Sequence, residues 1–200
     1  MVEERRLAGA FEKAVGQLGL RDPSALASGS GGLLEDNRIT LKVLNRTAII
    51  SVEDWSVIWQ DGGEPEPDMK VVVLHYLLGS PGQLEHRLIS YRELEGGSLY
   101  YSVFYQRAIA PLVRMFEKDP ETLGRTASSL GGIRIQRGDM SFDFMFFPFL
   151  LVNISFWKGD EEVPTTGNIL FDASAAKALR AEDLAHLSGD FAGYMRRGKM

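Results

Sequence analysis

Two hundred residues, 44% apolar and 24% charged, are enough chain and enough hydrocarbon for one domain that buries its own core. A formal net charge of −5 argues against general nucleic-acid binding, which needs a concentrated basic surface. With no cysteine, the chain has no disulfides, thiolate zinc sites, cysteine nucleophiles or iron–sulfur clusters held by its own thiolates.

Val2 to Leu18 predicts an amphipathic helix, because Leu7, Ala10, Phe11, Ala14, Val15 and Leu18 fall on one face and Gly19 stops it. The segment is too charged for a signal peptide, and no apolar run approaches the roughly 20 residues that span a bilayer. A cytoplasmic protein without membrane contact is the expectation. Asp22-Pro23 through Ser28 to Gly32 reads as a flexible loop too small in side chain to hold a core. Ile39, Leu41 and Val43, then Ala48, Ile50 and Val52, alternate with their neighbours and predict a hairpin across Asn45-Arg46. A surface loop from Asp61 to Asp68 follows. Met69 to Leu78 then predicts a buried helix capped by Asp68 and stopped by Gly79.

Leu88 to Leu94 reads as extended, broken at Glu95-Gly96-Gly97. Ser98 is placed to cap a helix from Leu99 to about Phe116, kinked or restarted at Pro111. Asp119-Pro120 opens another helix, ending near Gly131-Gly132. Ile133 and Ile135, with Phe142, Phe144 and Phe146, predict a second hairpin across Arg137-Gly138-Asp139. Strands at Phe149–Trp157 and Asn168–Phe171 flank an acidic turn, and a last helix runs from about Ala181 to Tyr194 with Glu182-Asp183 at its positive end. Hairpins and helices interspersed without a βαβ beat predict an α+β fold: an antiparallel or mixed sheet built from hairpins, with helices packed against it. The expected organisation is a single domain over 1–200, with residues 1–20 a docked satellite helix and 39–197 the main body.

Three places carry candidate chemistry. Asp160, Glu161 and Glu162 lie in succession on the acidic turn, and Asp172 ends the following strand; hard cations favour such oxygen ligands. The spacing matches no calcium loop, however, and Asp172 or Ser174 equally suits the cap of a short helix through Ala178, so no metal ligands are assigned. His75, inside an apolar run, reads either as a general base or ligand, or as a core histidine bonded to a carbonyl or carboxylate. Arg92 precedes a glycine turn that opens a helix, where backbone amides can hold an anion with help from Tyr100 or Tyr101. The phosphate-loop, catalytic-serine and zinc-helix patterns are missing. The phenylalanine-rich stretch from Phe142 to Trp157 reads as sheet core or as the lining of an apolar pocket.

Several ordered segments together resemble a family known only as domain of unknown function 3786, found in anaerobic bacteria and archaea. They are Leu74-His75-Tyr76-Leu77-Leu78, Ser90-Tyr91-Arg92-Glu93-Leu94 with Gly96-Gly97, Leu130-Gly131-Gly132, Trp157-Lys158-Gly159-Asp160-Glu161-Glu162-Val163-Pro164, Ile169-Leu170-Phe171-Asp172 and Glu182-Asp183-Leu184-Ala185. Val163 and Tyr91 stand where the family often has phenylalanine. The resemblance implies a soluble domain, sometimes associated with iron–sulfur or corrinoid-linked metabolism. Any cluster would belong to a partner, since this chain has no cysteine. No catalytic residues or cofactor carry over from it. The expected function is a non-catalytic or accessory ligand- or partner-binding protein in anaerobic redox or one-carbon metabolism, with its site where His75, Arg92 and the Asp160–Glu162 turn meet if the fold brings them together, which the sequence does not decide. The alternative is a divalent-metal-dependent hydrolase or transferase using the carboxylates of the 160–172 region.

Overall fold

The computed structural model describes residues 2–198 and 200. Helix α1 (Val2–Leu18) is amphipathic as its spacing predicts, with Ala14 and Leu18 buried in the core. The next stretch is a second helix, α2 (Pro23–Ser30), and not the expected loop. The Asp22 carboxylate accepts the backbone N–H groups of Ser24 (3.3 Å) and Ala25 (3.1 Å), Pro23 takes the first turn, and Gly31 closes the helix at φ 74. Caps at both ends hold a segment whose small side chains give little periodic signal, and Leu26 and Ala27 anchor it in the core.

The predicted first hairpin is the centre of a four-stranded antiparallel sheet, β1 (Leu33–Glu35), β2 (Arg38–Val43), β3 (Arg46–Ser51) and β4 (Val57–Trp59), in that order. Ile39, Leu41, Val43, Ala48 and Ile50 all point to its buried face. Helix α3 (Pro67–Gly79) buries residues around most of its circumference, so it lies inside the molecule. Asp68 does not cap it. Pro67 occupies the first turn after Glu66, where a missing N–H costs nothing.

The second sheet is five-stranded and wholly antiparallel, which settles the choice left open between antiparallel and mixed. Its strands are β5 (Leu88–Ser90), β6 (Ile133–Ile135), β7 (Met140–Phe147), β8 (Leu150–Trp157) and β9 (Thr166–Asp172), ordered β5-β9-β8-β7-β6. The extended stretch predicted to Leu94 ends at Ser90, and Tyr91–Glu93 forms a 3-10 turn. Helix α4 (Gly97–Phe104) begins two residues earlier than expected, after Gly96 at φ 75, while the Ser98 hydroxyl donates to the Arg92 carbonyl (3.2 Å) and does not cap. A Cβ on Gly97 would lie 1.9 Å from the Tyr91 carbonyl oxygen, so only glycine lets this turn close. The disturbance expected at Pro111 takes the form of a π turn at Tyr105–Ile109 before α5 (Ala110–Lys118). The wider turn accommodates a proline that lacks an N–H and crowds the preceding carbonyl. Helices α6 (Pro120–Ser129), α7 (Ala175–Ala178) and α8 (Ala181–Arg197) complete an α+β fold.

Phe142, Phe144 and Phe146 of β7 and Val152, Ile154 and Phe156 of β8 are buried on the helix-covered face of this sheet, where Phe144 meets Phe191 of α8 edge-on at 4.7 Å between ring centres. On the opposite face the Asn153 amide donates to Ser141 Oγ (3.0 Å) and Asp143 Oδ1 (2.7 Å), and Ser155 Oγ donates to Asn153 Oδ1 (2.7 Å). Every member of this buried group has a partner, which fixes the β7–β8 register. The Leu44 N–H donates to the Phe146 carbonyl (2.9 Å) and joins the two sheets. The buried Tyr76 of α3 stacks on Phe147 at 4.2 Å. Its hydroxyl donates to the Ser30 carbonyl (3.1 Å) and accepts the Phe149 N–H (2.9 Å).

Candidate functional site: a groove around His75 and Asp183

Helices α3 and α8 lie side by side, and their closest polar contact joins His75 Nδ1 to Asp183 Oδ1 at 2.8 Å. A carboxylate only accepts, so Nδ1 carries the proton and Nε2 is left as the open ring nitrogen. The second oxygen of Asp183 accepts the Arg180 N–H (3.3 Å) and closes the first turn of α8. Asp183 is buried while the His75 side chain is 28% exposed, so the imidazole reaches solvent from a fixed base. Tyr91 steadies the same corner: its buried hydroxyl donates to the Ala181 carbonyl (2.8 Å), and burial, helped by the nearby charge of Glu182, pushes the phenol up to about 12.

Two cavities meet at this pair. One, of about 140 Å³, lies between α1, α3 and α8 over Leu7, Ala10, Val71 and Val72. The other is a groove of about 940 Å³ running past Ala10, Lys13 and Gln17 of α1, Gly79, the Leu94–Gly96 turn and residues 176–183. Ala10, His75, Glu182 and Asp183 line both. Gly79 sets the wall of the groove, because any Cβ there would sit 2.2 Å from the Ala178 carbonyl oxygen; glycine lets α3 and α7 touch.

The smaller cavity is ringed by charge. His186 Nδ1 faces Asp68 Oδ2 at 3.3 Å, and its Nε2 lies 2.9 Å from an Arg6 guanidinium nitrogen. Arg6 also pairs with Glu182. One turn along α8, Asp190 has its carboxyl pushed up to about 6, chiefly by burial and then by the charges of Asp68 and Glu66, against the pull of His186 and Arg197. Its Oδ2 is buried without a hydrogen-bond partner among the described residues. In the larger groove Lys177 pairs with Glu85 (2.7 Å), whereas Lys13 and Arg180 have no ion-pair partner among the described residues.

Of the residues singled out by sequence, only His75 stands in these cavities; Arg92, Asp160, Glu161, Glu162 and Asp172 line neither. Arg92 is exposed, with its guanidinium 3.8 Å over the Tyr101 ring. Asp160, Glu161 and Glu162 are exposed on the β8–β9 turn. There Asp160 Oδ1 accepts the N–H groups of Glu162 and Val163 (both 2.9 Å), and these bonds hold its carboxyl below the usual range. Asp172 is buried at the far end of β9, about 20 Å from the turn at the usual strand rise. Burial alone would raise its carboxyl. Hydrogen bonds from the Ser174 hydroxyl and from the N–H groups of Glu85 (2.8 Å), Ser174 (3.0 Å) and Arg87 (3.2 Å) outweigh that and hold it below the usual range. The convergence left open by the sequence is not seen at these cavities, where His75 stands without Arg92 or the acidic turn. Among the described residues, no three histidine and carboxylate side chains are grouped to hold a metal ion.

Sequence reasoning missed the roles of Asp183, His186 and Asp68. Asp183 and His186 show as polar positions on one side of α8, but their partners lie more than 100 residues away on α3, and only the packing of the two helices joins them.

The molecule is thus an α+β domain with a helix-walled groove around a carboxylate-anchored histidine. It belongs to the DUF3786 family, whose description is a domain of unknown function, and the family model matches residues 22–194. That span holds His75, Asp183, His186 and the acidic turn, and it begins after α1. Neither the curated proteins nor the solved structures yield a match. Among the described residues no helix is long and apolar enough to cross a membrane.

Proposed function

We propose that this chain is an accessory, non-catalytic binding domain that holds a small anionic ligand in the groove between α1, α3 and the α7–α8 segment. The observation that carries the reading is His75, held by Asp183 at 2.8 Å and set at the junction of two cavities, its Nε2 without a hydrogen-bond partner among the described residues. The groups that would meet an anion are Lys13 and Arg180, which have no ion-pair partner among the described residues; Glu182 is matched by Arg6 and Lys177 by Glu85, while His75 donates its Nδ1–H to Asp183. The positive end of α8 faces the same space.

The setting in cytoplasmic anaerobic redox or one-carbon metabolism rests on the family resemblance. So does service to an iron–sulfur or corrinoid-linked partner, which would have to supply the cluster to this cysteine-free chain. In this reading the chain works as one domain, with α1 as a docked satellite of the 39–197 body; one apolar cluster running from Ala14 to Met195 supports that. No observation favours a metal-dependent hydrolase built on residues 160–172, since Asp160 and Asp172 spend their carboxylates on backbone N–H groups.

The test is native mass spectrometry of the chain purified anaerobically from its own host, followed by calorimetric titration with simple carboxylates and phosphates. A co-purifying anion, or titratable binding, that is lost in both His75→Gln and Arg180→Ala supports the reading. A bare wild-type mass with no heat from any carboxylate or phosphate overturns it.

A further inference from the structure

We infer that His186 is a proton-sensitive clasp for α1, so that acidification swings the amino-terminal half of α1 away and opens the smaller cavity beside His75, which Arg6, Leu7 and Ala10 wall. This rests on His75 being the binding site, because Ala10 borders the larger groove as well.

The argument starts from donors and acceptors. An arginine guanidinium can only donate, so the 2.9 Å contact between Arg6 and His186 Nε2 requires a lone pair on that nitrogen. The proton of the neutral ring then sits on Nδ1, facing Asp68 at 3.3 Å. Protonating the ring puts an N–H on Nε2, donor against donor and cation against cation.

The sign of the linkage follows from which neighbours move. Asp68 lies on α3 and Asp190 on α8, so both face His186 whether or not α1 is docked, and Asp190, pushed up to about 6, takes up its own proton over the same range in either state. Arg6 is the charged α1 group that contacts His186 among the described residues, and it arrives and leaves with the helix. Docking therefore disfavours the imidazolium, and by reciprocity the imidazolium disfavours docking. Release of Arg6 also frees Glu182, one helical turn from His186, to receive the new charge. Farther along α1, Ala14 and Leu18 are fully buried and keep that end seated, so the motion is a hinge and not a detachment.

The experiment uses the full chain, whose lack of cysteine allows clean double spin-labelling. Labels go on Ala8→Cys in α1 and Glu53→Cys in an exposed turn of the first sheet, and distance distributions are measured by electron–electron double resonance at about pH 8 and about pH 5.5, which bracket histidine titration. The expected result is one distance at the higher pH and a second, longer population that grows about fivefold or more at the lower pH, a typical size for such couplings. His186→Gln, which still accepts from Arg6 and does not titrate, should show the single docked distance at both pH values. Arg6→Met should show the longer population at both. An unchanged wild-type distribution, or an equal pH response in His186→Gln or in Arg6→Met, overturns the clasp. Since no ligand enters this measurement, its failure is distinct from failure of the binding reading.

Discussion

Asp183 divides its two carboxylate oxygens between His75, on another helix, and the Arg180 N–H at the start of its own. Removing it should therefore cost more than removing the histidine. Asp183→Ala leaves a part-buried ring N–H and a first-turn N–H without partners and should lower unfolding stability by about 1–3 kcal/mol. His75→Gln, which preserves the cap, should cost less. Urea unfolding of the two variants side by side checks the order; equal losses would show that the cap contributes nothing.

Asp190 makes stability depend on pH in the direction opposite to most carboxylates. Its folded-state value is pushed up to about 6 from an ordinary 3.8, so between these limits the folded chain keeps a proton that the unfolded chain has released. Stability falls as pH rises through that window, and the cost is fully present above it. Asp190→Asn should match the wild type near pH 4 and exceed it by about 1–3 kcal/mol at pH 7. Unfolding midpoints across that range measure the divergence; parallel curves would refute it.

Asp172 has the reverse sign. Its carboxyl is held below the ordinary range, so the stability it contributes is present above that range and drains away as the pH falls through its folded value. Asp172→Ala should lose about 1–3 kcal/mol at neutral pH and speed amide exchange at Glu85 and Arg87, whose N–H groups it accepts. A variant with unaltered exchange at those two amides would mean the carboxylate is not what orders the 80–87 segment.

Gly79→Ala should be among the most damaging single-methyl changes, because the new carbon meets rigid backbone at Ala178 and not a movable side chain. A loss of about 1–3 kcal/mol is expected, together with a changed groove. Thermal unfolding and ligand titration on the same sample separate the two effects. Full stability in the variant would mean that α3 and α7 have room to part.

The acidic turn should be dispensable for the fold. Replacing Asp160, Glu161 and Glu162 together with alanine should leave the unfolding midpoint close to wild type and anion binding unchanged, while amide exchange at Glu162 and Val163 accelerates. Lost anion binding would bring the turn back into the site.

Elements with strong period or punctuation were legible in the sequence. Asp119-Pro120 opened its helix as read, with the Asp119 side chain accepting the Thr122 N–H (2.9 Å), and the alternation of Phe142, Phe144 and Phe146 placed β7 with the correct face inward. What escaped had weak periodicity or depended on distant partners. The Ala-Ser-Gly stretch at 23–30 folds through its caps, and β1 and β4, three residues each, are too short to alternate visibly. His75 was visible as a histidine among apolar neighbours. Its meaning was not, because the carboxylate that fixes it lies 108 positions later, and in the acidic turn that drew attention by composition Asp160 spends its carboxylate on the turn's own backbone.

The phenol of Tyr76 bears on how the chain folds as well as on how it holds. It ties Ser30 to Phe149, partners separated from it by 46 and 73 residues, so the pair of bonds is complete only when three remote stretches have met. Contacts of such span come late, after the local helices and hairpins have formed. The amide of Phe149 is thus a built-in clock: in a refolding experiment pulsed with exchangeable hydrogen, its protection marks the moment when α3 and the turn between β7 and β8 become one object.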